Sequence, residues 1–190
     1  MPNWCTTTIT ISHGDDKKIE ELKKIIENCF NKDDCINHFN NTWLGYIIEK
    51  EEFRDLCCRG SIVEMHSMNG FLTITTETAW SPCIKLFLKL LEKYLPDANL
   101  IYESCEPGCD VFITNNPDLA GKYYIDFFEE IEDFEPVWDA TEADTVEILQ
   151  ELLKTKENNL EELLKLYENS ELTECVAIHQ WDYEDAEYLE

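Results

Sequence analysis

The stretch SIVEMHSMNGFLTITTET, residues 61–78, consists of two alternating runs joined by an Asn-Gly turn. Alternation with a period of two is typical of strands with one buried face. Asn69-Gly70 is a strong hairpin signal, because both residues tolerate the positive φ that a tight two-residue turn requires. Residues 61–67 and 71–78 are therefore predicted to pair as antiparallel strands.

The segment before this hairpin predicts a strand followed by a helix. Residues 4–12, WCTTTITIS, alternate in the same way. From residue 17 to residue 29 apolar side chains recur at helical spacing, and Asp15 or Asp16 can cap the first turn.

The segment after the hairpin predicts a second helix and a fourth strand. Ser81 can cap this helix, Pro82 suits its first position, and its apolar stripe extends to about Tyr94. Residues 98–104, ANLIYES, read as a strand. The order strand, helix, strand, strand, helix, strand predicts an α+β class with a ferredoxin-like βαββαβ antiparallel sheet and both helices on one face.

We assign residues 1–127 to this first domain, with an Asn- and Asp-rich insertion at about 30–60. Residues 109–114 and 122–127 are predicted to add edge strands to its sheet.

Residues 128–190 are predicted to form an acidic α/β extension. Two amphipathic helices are expected at 144–154 and 160–167, and a final strand at 173–181.

Two short motifs, MPNWC at residues 1–5 and TAWSP at residues 78–82, stand out from this pattern. Their order within the strand–helix pattern resembles the YubB-like ferredoxin-like-domain family of phage and plasmid proteins, over residues 1–115. EPGC at residues 106–109 is similar to that family's segment after the fourth strand.

The chain differs from the family pattern in two places. Residues 6–8 are three Thr where the family has Asn, and residues 58–60 are only a weak counterpart of the family's Trp-Gly segment. It implies a ferredoxin-like fold and a mobile-element context. It transfers no catalytic residue.

The net charge of −26 is concentrated in one half of the chain. Residues 1–100 carry a formal charge of −4, and residues 101–190 carry −22. Such a surface repels nucleic acid and anionic membranes and attracts the basic grooves of proteins that bind nucleic acid. Direct nucleic-acid binding is therefore disfavoured, despite a small strip of lysines between residues 17 and 32.

Carboxylates fixed on a folded scaffold can imitate a nucleic-acid backbone, since residues four apart on a helix lie about 6 Å apart along its axis. This pattern predicts a non-enzymatic inhibitor of a host defence protein that binds nucleic acid, of the anti-CRISPR or anti-restriction type. The predicted partner is thus a basic protein such as a CRISPR effector or restriction enzyme. The predicted partner-binding residues are Glu129, Glu130, Glu132, Asp133, Glu135, Asp139, Glu147, Glu151, Glu161, Glu162, Glu168 and Trp181.

Two other functions are compatible with the sequence. One is an accessory module that binds a phage or plasmid protein through the sheet face or the region of Trp4 and Trp80. The other is an enzyme in which His66 acts with a nearby carboxylate or thiol, the nearest candidates being Glu64, Glu103 and Cys105.

No cofactor or metal site is predicted. The nine cysteines have irregular spacings without a Cys-x-x-Cys pair, which favours reduced core thiols over zinc ligands. No apolar run is long enough to span a membrane and no signal peptide is visible, so a cytoplasmic location is expected.

Overall fold

The computed structural model describes residues 3–31, 42–48, 56, 59–128 and 134–189. These residues form a mixed α+β structure with two compact units. Unit 1 comprises Met1–Asn116 and Tyr183–Glu190, and unit 2 comprises Pro117–Asp182. Residues 183–189 therefore belong to the same unit as residues 3–31.

The described helices and strands follow one another in this chain order: β1 Trp4–Ser12, α1 Asp16–Phe30, α2 Gly45–Ile48, β2 Gly60–Met68, β3 Phe71–Ala79, α3 Ile84–Tyr94, β4 Asn99–Glu106, β5 Val111–Thr114, β6 Tyr123–Phe127, β7 Val137–Ala140, α4 Glu142–Leu153, α5 Leu160–Glu168, β8 Val176–Gln180 and β9 Asp182–Tyr183. Short 3₁₀ turns occupy Pro107–Cys109 and Glu171–Glu174.

A six-stranded sheet with the order β2-β3-β1-β4-β5-β9 forms the centre of unit 1. β1 lies between β3 and β4 and is antiparallel to both. The predicted hairpin is confirmed: Met68 pairs with Phe71, and Asn69 and Gly70 have φ of 51° and 79°. Positive φ at both turn positions matches the right-handed twist of the paired strands.

One face of this sheet is buried against helices. β1 buries Cys5, Thr7, Ile9 and Ile11, the alternate positions predicted from the sequence. The isoleucines share one core cluster with residues of the first and third helices. The buried residues that these helices contribute are Ile19, Leu22, Ile26 and Cys29 from α1, and Ile84, Leu86, Phe87, Leu90 and Leu91 from α3.

The two predicted helix caps had different outcomes. Asp15 caps α1 as predicted, since its carboxylate accepts a hydrogen bond from the backbone N–H of Lys17 at 3.0 Å. The cap predicted at Ser81 is wrong, because α3 begins at Ile84 after Cys83 and its cap makes no side-chain hydrogen bond. The carbonyl of Ser81 instead accepts a hydrogen bond from the Thr78 hydroxyl at 2.8 Å.

Within the insertion at about 30–60, the described residues include α2, and Ile47 of this helix and Leu44 just before it lie in the core of unit 1. Most of that insertion lies outside the described residues.

Unit 2 is a three-stranded antiparallel sheet of order β7-β6-β8 with the helices α4 and α5. Its core contains Ile125, Ala140 and Val176, against which Ile148 and Leu152 of α4 and Tyr167 of α5 pack. Both predicted helices and the final strand of the extension are present.

The predicted division at residue 127 is wrong. Residues 122–127 were expected at the edge of the first sheet, but β6 is the central strand of unit 2. The reason is that β6 pairs with β7 on one side and β8 on the other, and both of these lie in the acidic segment. The strand predicted at 109–114 does join the first sheet, as β5.

Candidate functional site

The structure places the predicted partner-binding residues as follows. Glu135, Asp139, Glu147, Glu151, Glu161, Glu162 and Glu168 are exposed on unit 2, and we call them the acidic surface. Glu129, Glu130, Glu132 and Asp133 lie outside the described residues. Residues 117–182 carry 19 acidic and 4 basic side chains, a formal net charge of −15.

Helix α4 fixes one row of carboxylates. Leu149 faces the interior and is fully buried, so the positions on the other side of the helix project outward. Asp144, Glu147 and Glu151 follow at intervals of three and four residues, about 4.5 and 6 Å apart along the axis. With Val137 and Ile148 they line a shallow depression of about 360 Å³. Carboxylates around an apolar floor suit a side chain with an aliphatic stem and a cationic head.

The first turn of α4 is held by a capping box. Thr141 accepts from the backbone N–H of Asp144, and the Asp144 carboxylate accepts from the backbone N–H and hydroxyl of Thr141 at 2.9 and 2.6 Å. These hydrogen bonds hold the pKa of Asp144 below its usual value. They also make the position of this end of the row well defined.

The capping box makes α4 sensitive to acid. Because the pKa of Asp144 is lower in the folded state, the stabilisation is present above the unfolded value of about 3.9 and is lost as the pH falls through the folded value. We expect the protection factors of the first-turn amides of α4, taken relative to the intrinsic exchange rate at each pH, to fall below about pH 4. Asp144→Asn should abolish this pH dependence while it keeps the side chain's size. Identical exchange profiles of the native chain and Asp144→Asn would contradict the assignment.

Helix α5 carries the second group of carboxylates. Asn159 caps it through the backbone N–H of Glu162 at 3.1 Å, and Leu163 is fully buried. Lys165 pairs with Glu161 at 2.9 Å and with Glu162 at 3.0 Å, and these carboxylates raise the pKa of the lysine. Even with this lysine engaged, α5 presents an excess of negative charge.

Trp181 is not part of an exposed binding surface, which corrects its predicted role. It is 1% exposed, and its indole N–H donates to the Trp138 carbonyl at 3.0 Å. The two rings lie 5.0 Å apart. In the sequence Trp181 stands among acidic residues and was expected to be exposed with them. In the structure its backbone N–H donates to the Lys122 carbonyl and its carbonyl accepts from the Gly121 N–H, and these bonds hold it within unit 2.

Trp138 is an exposed aromatic residue of unit 2 that the binding prediction did not include. Its ring is 41% exposed and lies edge-on to Tyr124 at 5.1 Å. It precedes Asp139, which pairs with Lys122 at 3.4 Å. The signal in the sequence was an aromatic residue next to an acid in a short strand, VWDA.

The structure brings together only some of the residues predicted to act in an enzyme. His66 and Glu64 form an exposed pair on β2, with 2.8 Å between Nε2 and Oε1. Glu103 and Cys105 lie on β4, and the prediction that they neighbour β2 is wrong because β3 and β1 intervene. Three strand spacings separate β2 from β4, about 14 Å.

The Cys105 thiol is not activated. Burial, with smaller contributions from the neighbouring Cys5 and Glu106, raises its pKa to about 11. At neutral pH the thiol is therefore protonated, whereas nucleophilic attack requires the thiolate.

We expect iodoacetamide at about pH 7.5 to modify the exposed Cys109 well before Cys105. Peptide mapping over a time course measures both rates in the same sample. Preferential labelling of Cys105 would contradict this assignment and favour a thiol-dependent activity.

The described parts of all three distinctive motifs meet at one end of the first sheet. The backbone N–H of Trp80 donates to the Asn3 carbonyl at 3.0 Å, and the Asn3 side chain donates to the Cys109 sulfur at 3.3 Å. Trp80 has φ of 74°, an uncommon conformation for a bulky residue. These contacts give the motifs a structural role, while Trp4 and Trp80 remain half exposed.

Among the described residues, no cluster of three His, Cys, Asp or Glu side chains is arranged to hold a metal ion. None of the described helices is both long and apolar enough to cross a membrane.

Comparison of the chain with family models, with curated proteins and with solved structures gave no match.

Proposed function

We propose that this protein is a non-enzymatic acidic inhibitor from a phage or other mobile element that binds a basic, nucleic-acid-binding protein of host defence. The acidic surface of unit 2 would occupy the groove that normally holds nucleic acid. A CRISPR effector or a restriction enzyme is the expected target, and the cytoplasm is the expected location.

The observation that carries this proposal is the ordered display of carboxylates on α4 and α5. A disordered acidic tail would lose conformational entropy on binding, whereas these helices hold their charges in place before the partner arrives. The charges are also incompletely neutralised, since four lysines accompany 19 acidic residues in residues 117–182. Complementary potentials of this kind raise association rates by about 10–1,000-fold at low salt.

For unit 1 we propose a ferredoxin-like fold and membership of the YubB-like family. The β2-β3-β1-β4 order, with β1 antiparallel to β3 and β4, supports the fold. The convergence of the three motifs at one end of the sheet supports the family. In this proposal unit 1 is a scaffold typical of mobile elements, and unit 2 supplies the inhibitory surface.

An affinity capture from nuclease-treated bacterial lysate tests the proposal. The tagged full chain is incubated at low salt and washed at about 100 and then about 500 mM salt, at which surface charge pairs are strongly screened. We expect mass spectrometry to identify a basic nucleic-acid-binding protein that leaves in the second wash. Capture only of a partner that resists high salt would contradict charge mimicry and favour the accessory-module alternative.

A further inference from the structure

The outward face of the sheet in unit 1 has a regular pattern of polar and apolar side chains. β1 presents Trp4, Thr6, Thr8 and Thr10 on this face, opposite to its buried positions. The registers place Thr75 beside Thr8. This central area consists of threonines at neighbouring positions on two strands.

Three carboxylates surround the threonines. Glu77 on β3 pairs with Thr6. Glu103 on β4 pairs with Thr8, and Glu64 on β2 pairs with Thr75. Glu64 and Glu103 therefore bracket the two threonines in one row across four strands, about 14 Å apart. The sequences of β1, β2, β3 and β4 contain no Lys or Arg. His66 also lies on this face, where its Nε2 is paired with Glu64.

Large apolar side chains stand at the two ends of the face. Trp4 begins β1 and is 51% exposed; Phe71 faces Ser12 at the far end and is equally exposed. Met68, paired with Phe71, is 73% exposed. Half-exposed aromatic residues at both ends of a carboxylate-bearing face are typical of an interaction surface.

We propose that this face, defined by Trp4, Phe71, Glu64, Glu77 and Glu103, binds a basic segment of a partner protein. Arginine or lysine side chains would pair with the three carboxylates, and a guanidinium would stack on the exposed ring of Trp4. The threonine hydroxyls supply donors and acceptors for the segment's backbone. The residues that define this face all belong to unit 1, and the inference does not depend on the function proposed for the acidic surface of unit 2.

The charge on the face selects against other occupants. A single-stranded nucleic acid could stack on aromatic residues, but such sites need a cationic groove for the phosphates, and this face carries carboxylates instead. A second copy of the chain would bring an identical set of carboxylates opposite the first, which is repulsive.

The experiment is an NMR titration of the full ¹⁵N-labelled chain with a capped peptide of alternating arginine and glycine at about 150 mM salt. Because the peptide can also bind the acidic surface, affinity is read from the amides of Thr6, Thr8 and Thr75 alone. The test variant is Glu64→Gln/Glu77→Gln/Glu103→Gln. The matched control is Glu147→Gln/Glu151→Gln/Glu168→Gln, which removes the same number of charges from unit 2.

We expect the signals of these three amides to shift on titration. The test variant should weaken the affinity read from them about tenfold, since it removes the charges of three carboxylates that pair with the peptide. The control variant should change the affinity read from these amides by less than about twofold. Trp4→Ala alone should also weaken the affinity read from these amides, without a change in the fold. Equal weakening by both triple variants, or shifts confined to unit 2, would overturn the inference.

Two further titrations use the same amides. Shifts on addition of single-stranded DNA would show that the face binds nucleic acid and would overturn the assignment of its occupant. Shifts on dilution of the free chain would show self-association and would also overturn it. Failure of charge mimicry by unit 2 would leave these readouts unchanged, so the two proposals are tested separately.

Discussion

Reversing three carboxylates of the acidic surface, Glu147→Lys/Glu151→Lys/Glu168→Lys, is expected to weaken binding to the captured partner at least about 100-fold. Each substitution removes an attraction and adds a repulsion within a basic groove. Close charge pairs across interfaces can contribute about 1.5 kcal/mol or more each, and about 1.4 kcal/mol corresponds to a tenfold change in Kd. The association rate should fall most, and the difference between native and variant should shrink as salt is added.

The three positions lie beyond the first turns of α4 and α5, where lysine is as good a helix former as glutamate. The circular dichroism spectrum should therefore be unchanged. The matched control is Glu21→Lys/Glu27→Lys/Glu92→Lys on the helices of unit 1, which changes the net charge by the same amount. Equal losses of affinity in both variants would mean that total charge matters and that the acidic surface has no special role.

Trp181→Ala is expected to destabilise unit 2 by about 3–5 kcal/mol, the usual effect of deleting a large buried aromatic side chain. Its ring is buried against Trp138, and its N–H is the donor to the Trp138 carbonyl. Hydrogen exchange of the β6 and β8 amides during urea titration measures this loss for unit 2 itself.

Trp181→Phe separates packing from hydrogen bonding. It keeps an aromatic ring and leaves the carbonyl of Trp138 without its donor, so an intermediate loss of about 1–3 kcal/mol is expected. If Trp181→Ala left unit 2 as stable as before but reduced partner binding, Trp181 would be a binding residue after all and our correction would be wrong.

The sequence predicted the first part of the fold well because its signals are local. The alternation in residues 4–12, the Asn69-Gly70 turn and the helical spacing from residue 17 each specify an element without reference to distant residues. The α+β class then followed from the order of these elements along the chain.

The domain boundary could not be obtained in the same way. Residues 122–127 read as a strand, but the sequence does not show whether β5 or the later β7 and β8 will pair with it. Likewise, the short acidic end of the chain gave no local sign that Ala186 and Leu189 would be buried in the core of unit 1.

The candidate site shows the same contrast. Charge and helical periodicity correctly placed Glu147, Glu151 and Glu161 on exposed helix faces. They could not distinguish Trp181 from Trp138, because which aromatic residue is buried depends on the pairing of β6 with its neighbours. The separation of His66 from Cys105 likewise depends on strand order, which spacing along the chain does not reveal.

The central claim is that the acidic surface occupies a nucleic-acid groove, and a competition measurement tests it most directly. The affinity of the captured partner for its own nucleic acid is measured at increasing concentrations of the full chain. We predict that the apparent Kd rises in proportion to the concentration of the chain without a plateau, and that the reversal of Glu147, Glu151 and Glu168 abolishes the rise. Simultaneous binding of nucleic acid and the native chain, with an unchanged Kd, would contradict the proposal.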